Sequence, residues 1–380
     1  MRFGKQFGGV SIIGSAGVPA TYGGFETLVE NLIRHHDAIG APFPLTVFCS
    51  RRPKSQRLPT YLSARLRYLP FKANGMQSVL YDTISIILAI LHGSDVILVL
   101  GISGAVALPF VRRISSARIV TNVDGIEWKR KKWRGIARHF LRVSERLAAR
   151  YSHSLIADNA AIQAYLLTAY NVSSRLIAYG GDHAISTESK DLRSLRLPHL
   201  FAFSVCRIEP ENNIELILNS FSTQNNIAIV IVGNWNGSPY GRGIRNRYRN
   251  HHCILMLDPI YDLGILHTMR TSCALYVHGH SAGGTNPSLV EAMHFGKAVF
   301  AFDCDFNRET TENKAAYFSD ANSLSKMIGC LNLPALEAMG STLRSIARRR
   351  YTWSIVAQQY LELLRPADQI NNAPNMANTP

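Results

Sequence analysis

The sequence predicts an α/β protein made of two Rossmann-like, doubly wound domains that face each other across a central cleft. Its 380 residues exceed the length at which one hydrophobic core normally keeps growing, so two domains are expected. Short apolar runs alternate with longer segments of helical period, and the runs are nearly continuous, as in parallel strands covered on both faces. The alternation stops in a polar stretch and then starts again, which predicts one parallel sheet in each half.

The N-terminal domain is predicted to span residues 1–180. The apolar runs that predict its strands are Val10–Ile13, Leu45–Phe48, Leu66–Leu69, Val96–Leu100, Arg118–Thr121 and Ser154–Ala157. The segments of helical period between them are Gly24–His36, Met76–Leu91, Gly135–Tyr151 and Ala160–Thr168. A polar linker is expected over residues 181–199.

The C-terminal domain is predicted to span residues 200–352. Its strands are expected at Phe201–Val205, Ala228–Val232, Ile254–Leu257, Ala274–Val277 and Ala298–Ala301. Its helices are expected at Glu211–Phe221, Pro259–Met269, Pro287–His294, Ser323–Leu331 and Pro334–Arg350. A last helix, within residues 353–365, is expected to return toward the N-terminal domain. The tail, residues 366–380, has too few apolar side chains to pack and is predicted to be disordered.

Charge is the unusual feature of the composition. Hydrophobic residues make up 47% of the chain and charged residues 18%, which excludes wholesale disorder and collagen-like architectures. Lysine and arginine number 41 against 26 aspartate and glutamate, which gives a formal net charge of +15. Such a surplus indicates an anionic partner: nucleic acid, an acidic membrane surface or a phosphorylated substrate.

Cysteine usage and the length of the apolar segments bear on the compartment. The six cysteines are widely spaced, without a CxxC pair, and are expected to be reduced. The first residues do not resemble a signal peptide. The longest apolar helical segment, Thr83–Leu91, is well short of the ~20 residues that a membrane span requires. We therefore expect a cytoplasmic protein.

The first candidate functional segment runs from Gly14 to Glu26, between the first strand and the first helix. Its glycines, among them Gly17, Gly23 and Gly24, let the backbone approach a ligand, and the helix N-terminus offers free N–H groups to an anion. A tight strand–helix turn explains the same residues, since the dinucleotide spacing GxGxxG is missing. Glu26 either caps its helix or lines the cleft.

The second segment runs from Tyr276 to Met293, where a strand, a loop of small residues and a helix follow one another. Asn286 and Pro287 are typical of a helix start, as cap and first-turn residue. The loop exposes backbone N–H groups at that helix N-terminus, an arrangement that suits a diphosphate. Glu291 lies one turn into the helix, where a carboxylate accepts hydrogen bonds from sugar or ribose hydroxyls.

These two segments and three others resemble glycosyltransferase family 4, whose members have the two-domain GT-B fold. The five matching segments are Gly14–Thr27, Asn122–Arg130, Arg207–Asn213, Gly283–Met293 and Phe302–Arg308. More narrowly, the chain is similar to bacterial rhamnosyltransferases whose N-terminal domain begins with a GxxGxPxxYGGFET segment. The resemblance extends over about residues 8–330.

The resemblance implies transfer of a sugar, with retention of configuration, from a nucleotide donor on the C-terminal domain to an acceptor on the N-terminal domain. In the subgroup, the donor is dTDP-L-rhamnose and the acceptor is a polyprenyl-diphosphate-linked saccharide of surface polysaccharide assembly. No metal ion or other cofactor is expected. Asp303 and Asp305 have the spacing of a metal-binding pair, but their position after a strand favours loop structure.

The expected site residues follow from the same resemblance. Those expected at the donor are Arg207, Asn212, His280, Gly283, Gly284, Thr285, Asn286, Glu291 and Arg308. Those expected at the acceptor side of the cleft are Gly17, Tyr22, Gly23, Gly24 and Glu26. Those expected in catalysis are Asp124, Glu127 and Glu291. Either Asp124 or Glu127 is expected to orient or deprotonate the acceptor hydroxyl. A turn at Asp124 and a loop or core role for His280 are the structural alternatives.

Two positions depart from the broad family pattern. Family 4 usually has a glutamate eight residues before the helix glutamate, where this chain has Gly283. It also usually pairs an arginine with a lysine five residues later to grip the diphosphate, and here Arg207 is followed by Asn212. We interpret both as tuning of the donor site, in which loop amides or Arg308 supply the missing charge.

The positive charge is centred on one segment and the helix that follows it. The segment residues predicted to lie at a membrane surface are Trp128, Lys129, Arg130, Lys131, Lys132 and Trp133. The helix then places Arg138, Arg142, Arg146 and Arg150 at steps of four, along one face. Tryptophan beside cations is typical of docking onto an anionic bilayer, where each cation contributes about 1 kcal/mol. A solvated cationic face is the alternative.

The sequence as a whole therefore predicts a rhamnosyltransferase that acts peripherally at the cytoplasmic face of the inner membrane. One alternative is the same fold with another nucleotide-hexose donor. Another is an inactive basic scaffold that binds lipid or nucleic acid. A nucleic-acid partner is not expected, because no nucleic-acid-binding module is recognisable in the sequence.

Overall fold

The computed structural model describes residues 8–20, 23–130, 133–186 and 188–367. Within these ranges the chain forms two parallel sheets, and apolar clusters lie on both faces of each sheet. This confirms the predicted α/β class with two doubly wound domains. Most of the tail predicted to be disordered, from residue 368 onward, lies outside the described residues.

The N-terminal domain contains one eight-stranded sheet. Its strands are Val10–Ile13 (β1), Leu45–Cys49 (β2), Thr60–Tyr61 (β3), Ala64–Tyr68 (β4), Val96–Leu100 (β5), Arg118–Val123 (β6), Ser154–Ala157 (β7) and Arg175–Leu176 (β8). They lie in the order β3-β4-β2-β1-β5-β6-β7-β8, and only the β3–β4 pair is antiparallel. The helices are Gly24–Ala38 (α1), Ser78–Leu91 (α2), Leu108–Ile114 (α3), Gly135–Tyr151 (α4) and Ala160–Tyr170 (α5).

The C-terminal domain contains a six-stranded, fully parallel sheet. Its strands are Phe201–Val205 (β9), Ala228–Val232 (β10), Ile254–Leu257 (β11), Leu275–His278 (β12), Ala298–Phe302 (β13) and Ala316–Phe318 (β14). They lie in the order β11-β10-β9-β12-β13-β14. The helices are Ile214–Ser222 (α6), Pro239–Tyr248 (α7), Leu263–Ser272 (α8), Pro287–His294 (α9), Asp305–Thr310 (α10), Ala321–Gly329 (α11), Leu333–Arg350 (α12) and Trp353–Leu364 (α13).

The elements that the sequence did not predict are short or lack an apolar period. Strands β3 and β8 have two residues each, and β14 has three. Helix α7 buries only Gly241, Ile244 and Tyr248, and its other side chains are mostly polar, so its helical period is hidden. Helix α8 begins at Leu263 rather than at Pro259, because Asp262 caps it by accepting the Ile265 N–H at 3.0 Å.

Helix α13 packs against the core of the N-terminal domain, although it follows the C-terminal domain in the chain. Trp353, Val356, Tyr360 and Leu364 are buried in one cluster with the side chains of β1, β2 and α1. The Asn122 amide of β6 donates to the Tyr360 hydroxyl at 2.7 Å. The chain therefore crosses between the domains twice, once in the linker and once just before α13.

The carboxyl ends of the two sheets face each other across the cleft. A Cβ on Gly125, just after β6, would lie 2.7 Å from Gly283, which belongs to the loop after β12. Residues that follow strand ends in either domain are thereby brought to one place, as in other open α/β sheets. In the described part of the chain, no helix has both the length and the apolar character needed to cross a membrane.

Candidate active site

Two aspartates from adjacent strand ends form an acidic pair at the N-terminal wall of the cleft. Asp124 follows β6 and is open to the cleft, whereas Asp158 follows β7 and is 1% exposed. Both carboxylate oxygens of Asp158 are buried, next to the Asp124 carboxylate and the Thr285 backbone N–H. Asp158 was missed by the sequence analysis, although the signal that singled out Asp124, an aspartate directly after a buried strand, is present there too.

Burial and mutual repulsion set the protonation of this pair. Burial raises the pKa of Asp158 well above its ordinary value, and the charge of Asp124 raises it further. Enclosure between the domains and the nearby Glu127 carboxylate raise the pKa of Asp124 to about 6. Burial therefore favours the protonated form of Asp158, whereas Asp124, with a pKa of about 6, is ionised at neutral pH. An ionised carboxylate with a pKa near neutrality is suited to act as a general base.

The loop after β12 is fixed directly onto Asp158. The Thr285 hydroxyl donates to the Asp158 backbone carbonyl, and a side chain at Gly284 would overlap the Asp158 carboxylate. Asn286 caps α9 by accepting the Ser288 N–H at 3.0 Å, and Pro287 occupies the first turn. Thr285 was predicted to bind the donor; its hydroxyl is used in the contact between the domains.

A chain of alternating charges crosses from the N-terminal to the C-terminal wall. The Arg130 guanidinium lies 3.1 Å from Glu127 and 3.6 Å from Glu209, and Arg207 lies 3.8 Å from Glu209. The Arg130 side chain is 14% exposed, so its predicted place on a membrane surface is wrong. The Arg207 side chain is 46% exposed, which leaves it accessible to a ligand phosphate.

His280 and Asn212 brace the C-terminal wall. Burial, together with the charges of Arg130 and Arg207, lowers the pKa of His280 to about 3, so its imidazole is neutral. The Asn212 amide is buried, donates to the Arg207 carbonyl at 2.6 Å, and lies 2.9 Å from His280 Nδ1. Asn212 was expected to bind the donor; its amide holds the turn that carries Arg207.

Glu291 is held by a buried arginine rather than left open to hydroxyl groups. One carboxylate oxygen pairs with Arg270, which is 3% exposed, and the other lies 3.5 Å from His183. Burial raises the pKa of Glu291, but Arg270 and His183 outweigh it and hold the pKa below its ordinary value. For Glu291 to contact a sugar directly, as predicted, either Arg270 or His183 would have to move away from its carboxylate. Arg270 itself was not predicted.

Arg308 is also paired within its own domain. It donates to the Asp303 carboxylate at 2.5 and 2.8 Å, and its guanidinium lies 4.2 Å from the centre of the Tyr317 ring. The expectation that Arg308 supplies charge to a diphosphate is not favoured by this arrangement. Asp303, one of the two residues with metal-pair spacing, is occupied by the same contact.

The glycine-rich segment after β1 is a braced turn. Glu26 is buried and accepts the Ala16 N–H at 2.6 Å, so it holds the turn rather than capping its helix. Gly17 has φ +102°, and a Cβ there would lie 2.5 Å from Cys49 Sγ, so this glycine is needed for packing. Gly24 faces the cleft, where a Cβ would contact Pro287 at 3.6 Å. Gly23 packs on Glu26, and Tyr22 lies outside the described residues.

Both tryptophans of the basic segment point their indole N–H groups inward. Trp128 donates to the buried Glu145 carboxylate at 3.1 Å, and Trp133 donates to Glu127 at 2.8 Å. This corrects the prediction that the two indoles anchor the protein in a membrane. Lys129 is exposed, as are the four arginines of α4; Lys131 and Lys132 lie outside the described residues.

One group of potential metal ligands lies far from this cleft. His251, His252 and Cys253 bring their ligand atoms within 4.8 Å of one another just before β11. This is the amino end of an edge strand, opposite to the carboxyl ends that form the cleft. The group therefore has no place in the chemistry of the cleft.

Two family models divide the chain between them. Residues 7–182 match a domain of unknown function, DUF1972, and residues 189–328 match the glycosyl transferases group 1 family. No curated protein sequence matches the chain.

Solved structures share the fold at low sequence identity. Sucrose-phosphate synthase from Thermosynechococcus elongatus has a TM-score of 0.80 at 15% identity, covering 97% of this chain and 100% of that one. HepE from Anabaena in complex with UDP-glucose has a TM-score of 0.70 at 16% identity, covering 94% and 99%. A glycosyltransferase from Rickettsia africae has a TM-score of 0.72 at 11% identity, covering 97% and 99%. The chain therefore has the GT-B fold, and its residues 189–328 match the model of the glycosyl transferases group 1 family.

Proposed function

We propose that the protein transfers a sugar, with retention of configuration, from a nucleotide sugar on the C-terminal domain to an acceptor on the N-terminal domain. The observation that carries this proposal is the acidic pair Asp124 and Asp158, which meets Arg207 and the N-terminus of α9 across one cleft. HepE, which shares the fold, was solved with UDP-glucose. The sequence motifs favour dTDP-L-rhamnose as donor and a polyprenyl-diphosphate-linked saccharide as acceptor.

The chemistry requires opposite charges on the two walls. Negative charge grows on the leaving diphosphate as the bond to the sugar breaks, and Arg207 and the backbone amides at the start of α9 stabilise it. The ionised Asp124 orients the acceptor hydroxyl and accepts its proton. Asp158 is buried behind Asp124, where its raised pKa favours the uncharged form and so limits the negative charge near the diphosphate. Glu127 is paired with Arg130 and Trp133, so its role is to hold these side chains in place at the N-terminal wall of the cleft.

The donor is tested by comparing nucleotide sugars at equal concentration on a polyprenyl-diphosphate-linked acceptor. We expect dTDP-L-rhamnose to give the largest kcat/KM, with UDP-glucose and GDP-mannose lower, and Arg207→Ala to lower kcat/KM for every donor. A larger kcat/KM with UDP-glucose would replace the donor assignment and keep the transferase. If none of the three nucleotide sugars is hydrolysed or used for transfer, the proposal itself is contradicted.

A membrane-bound acceptor requires the protein to reach an anionic bilayer, and we propose that the α3–α4 face does so at the cytoplasmic side of the inner membrane. This face is defined by the exposed side chains of Phe110, Ile114, Arg113, Ile136 and Arg146, together with Arg134 beside them. Ile136 is 89% exposed at the start of α4. Apolar side chains between cations match the boundary between acyl chains and anionic headgroups.

Removing three exposed cations from this face is expected to weaken membrane binding. Each cation contributes about 1 kcal/mol, so Arg113→Ser, Arg134→Ser and Arg146→Ser together lower partitioning onto phosphatidylglycerol vesicles on the order of 100-fold. Vesicle flotation at constant salt measures this. The matched control removes three exposed cations of the C-terminal domain, Arg249, Lys314 and Lys326. Equal loss in both triple variants would mean that net charge alone drives binding.

A further inference from the structure

A second cavity lies at the junction of the domains, at the end of α9 that points away from the cleft. Its volume is about 660 Å³, and its walls come from α8, α9, α12, the linker and the start of α13. The polar side chains that line it include Asp182, His267, Thr271, His294, Arg344 and Arg348. A cavity of this size accommodates a small metabolite. We call it the hinge cavity, because both chain crossings between the domains border it.

Two arginines of α12 give the hinge cavity a surplus of positive charge. Arg344 and Arg348 are four residues apart and therefore lie on the same side of the helix. Within the described ranges neither pairs with a carboxylate, whereas the adjacent Arg349 and Arg350 pair with Glu312 and Glu309 at 2.7 and 2.5 Å. Within one helix, and among the described residues, Arg349 and Arg350 are thus neutralised by carboxylates, whereas the two arginines at the cavity are not.

The wall of the cavity leaves room for one of these guanidinium groups. A Cβ at Gly296, just after α9, would lie 3.2 Å from the Arg344 guanidinium carbon, so the absent side chain makes room for it. The acidic group in the lining, Asp182, already accepts the Trp353 N–H at 2.7 Å. It therefore does not neutralise the arginines by direct pairing.

A neutral hydrogen-bond donor completes the lining. His267 Nδ1 accepts the Ser186 N–H at 3.0 Å, which places the proton of the neutral imidazole on Nε2. His294 points its Nε2 at the Tyr351 carbonyl at 2.9 Å and is held by that bond. Two guanidinium groups and an imidazole N–H form a donor set that matches the oxygens of a phosphate group.

We propose that the hinge cavity binds a small phosphorylated metabolite, of about the size of a sugar phosphate. Asp182 belongs to one chain crossing and Thr352 to the other, so an anion bound there contacts the C-terminal domain and both connections to its partner domain. Occupancy then holds the connections against α12 and restricts opening of the cleft. This inference does not depend on which donor or acceptor the cleft uses.

Isothermal titration of the full chain with glucose 1-phosphate, and with glucose as the uncharged control, tests this binding. We expect glucose 1-phosphate to bind, glucose not to bind, and Arg344→Gln with Arg348→Gln to raise the Kd at least about tenfold. Arg349→Gln, on the same helix but paired with Glu312, is the matched control and should leave the Kd unchanged. Arg207→Ala reports the cleft and should leave this binding in place.

Three outcomes would overturn the inference. They are no binding of glucose 1-phosphate at millimolar concentration, the same Kd in the double variant and the wild type, and loss of binding in Arg207→Ala alone. The last result would assign the ligand to the cleft. Because Arg344 and Arg348 are exposed, the double variant should keep the melting temperature of the unliganded wild type, which a thermal scan checks.

Discussion

Replacing Asp124 with asparagine is expected to lower kcat for sugar transfer by about 10²- to 10⁴-fold, the range that general-base catalysis supplies. The amide keeps the size and much of the hydrogen bonding of the carboxyl group but does not accept a proton. The KM for the nucleotide donor should change little, because Arg207 and the start of α9 are untouched. Asp37→Asn, at an exposed position at the end of α1, is the matched control and should retain full activity.

The pH profile of the wild type provides a second readout. Since Asp124 is proposed to act in its ionised form and its pKa is about 6, kcat/KM should rise with pH through about 6 and then level off. Glu127 is one of the groups that raise this pKa, so Glu127→Gln should move the rising limb to lower pH while transfer continues. If Glu127→Gln abolishes transfer and Asp124→Asn does not, the two roles have to be exchanged.

Replacing Arg270 with methionine is expected to destabilise the protein by about 3–5 kcal/mol, because it leaves the nearly buried Glu291 carboxylate without its main counter-charge. The guanidinium also lies 5.6 Å from the centre of the Phe295 ring, and this contact is lost as well. Chemical denaturation followed by circular dichroism measures the effect. Donor binding should weaken with stability, because Glu291 lies on α9, the helix whose N-terminus faces the cleft.

Two further variants separate the ion pair from the loss of volume. Arg247→Met removes an exposed arginine that pairs with Glu215 and should change the stability little, because solvent screens this pair. Combining Arg270→Met with Glu291→Gln removes both charges and should recover more than half of the lost stability. If the double variant is no more stable than Arg270→Met alone, packing rather than the ion pair accounts for the loss.

The ends of the strands, and the residues next to them, could be predicted from the sequence. Asp124 was predicted because it matches a segment of the family and follows an apolar run, and Arg207 because it matches the arginine of the family pattern. Asp158 was not predicted, because it lies outside the five segments that match the family pattern. It precedes Asn159, which caps α5 by accepting the Ala161 N–H at 3.0 Å.

Contacts between segments that are distant in the sequence could not be predicted from it. Arg270 and Glu291 lie on different helices, and no periodicity in the sequence states which faces of α8 and α9 meet. Arg130 lies in a row of cations, so composition assigned it to a surface. A single 3₁₀ turn at Glu127–Lys129 directs Arg130 into the cleft instead. Such local turns depend on tertiary packing, which overrides the pattern of charge.

The packing of α13 against the N-terminal core has a consequence during synthesis on the ribosome. Chains are synthesised from the N-terminus at about 5–20 residues per second. Roughly 10 to 40 s therefore pass between synthesis of the first sheet and synthesis of α13, the helix that covers α1. In that interval the apolar side of α1 that meets Val356 and Leu361 is accessible to chaperones. The first domain to be translated is thus among the last parts of the molecule to be completed.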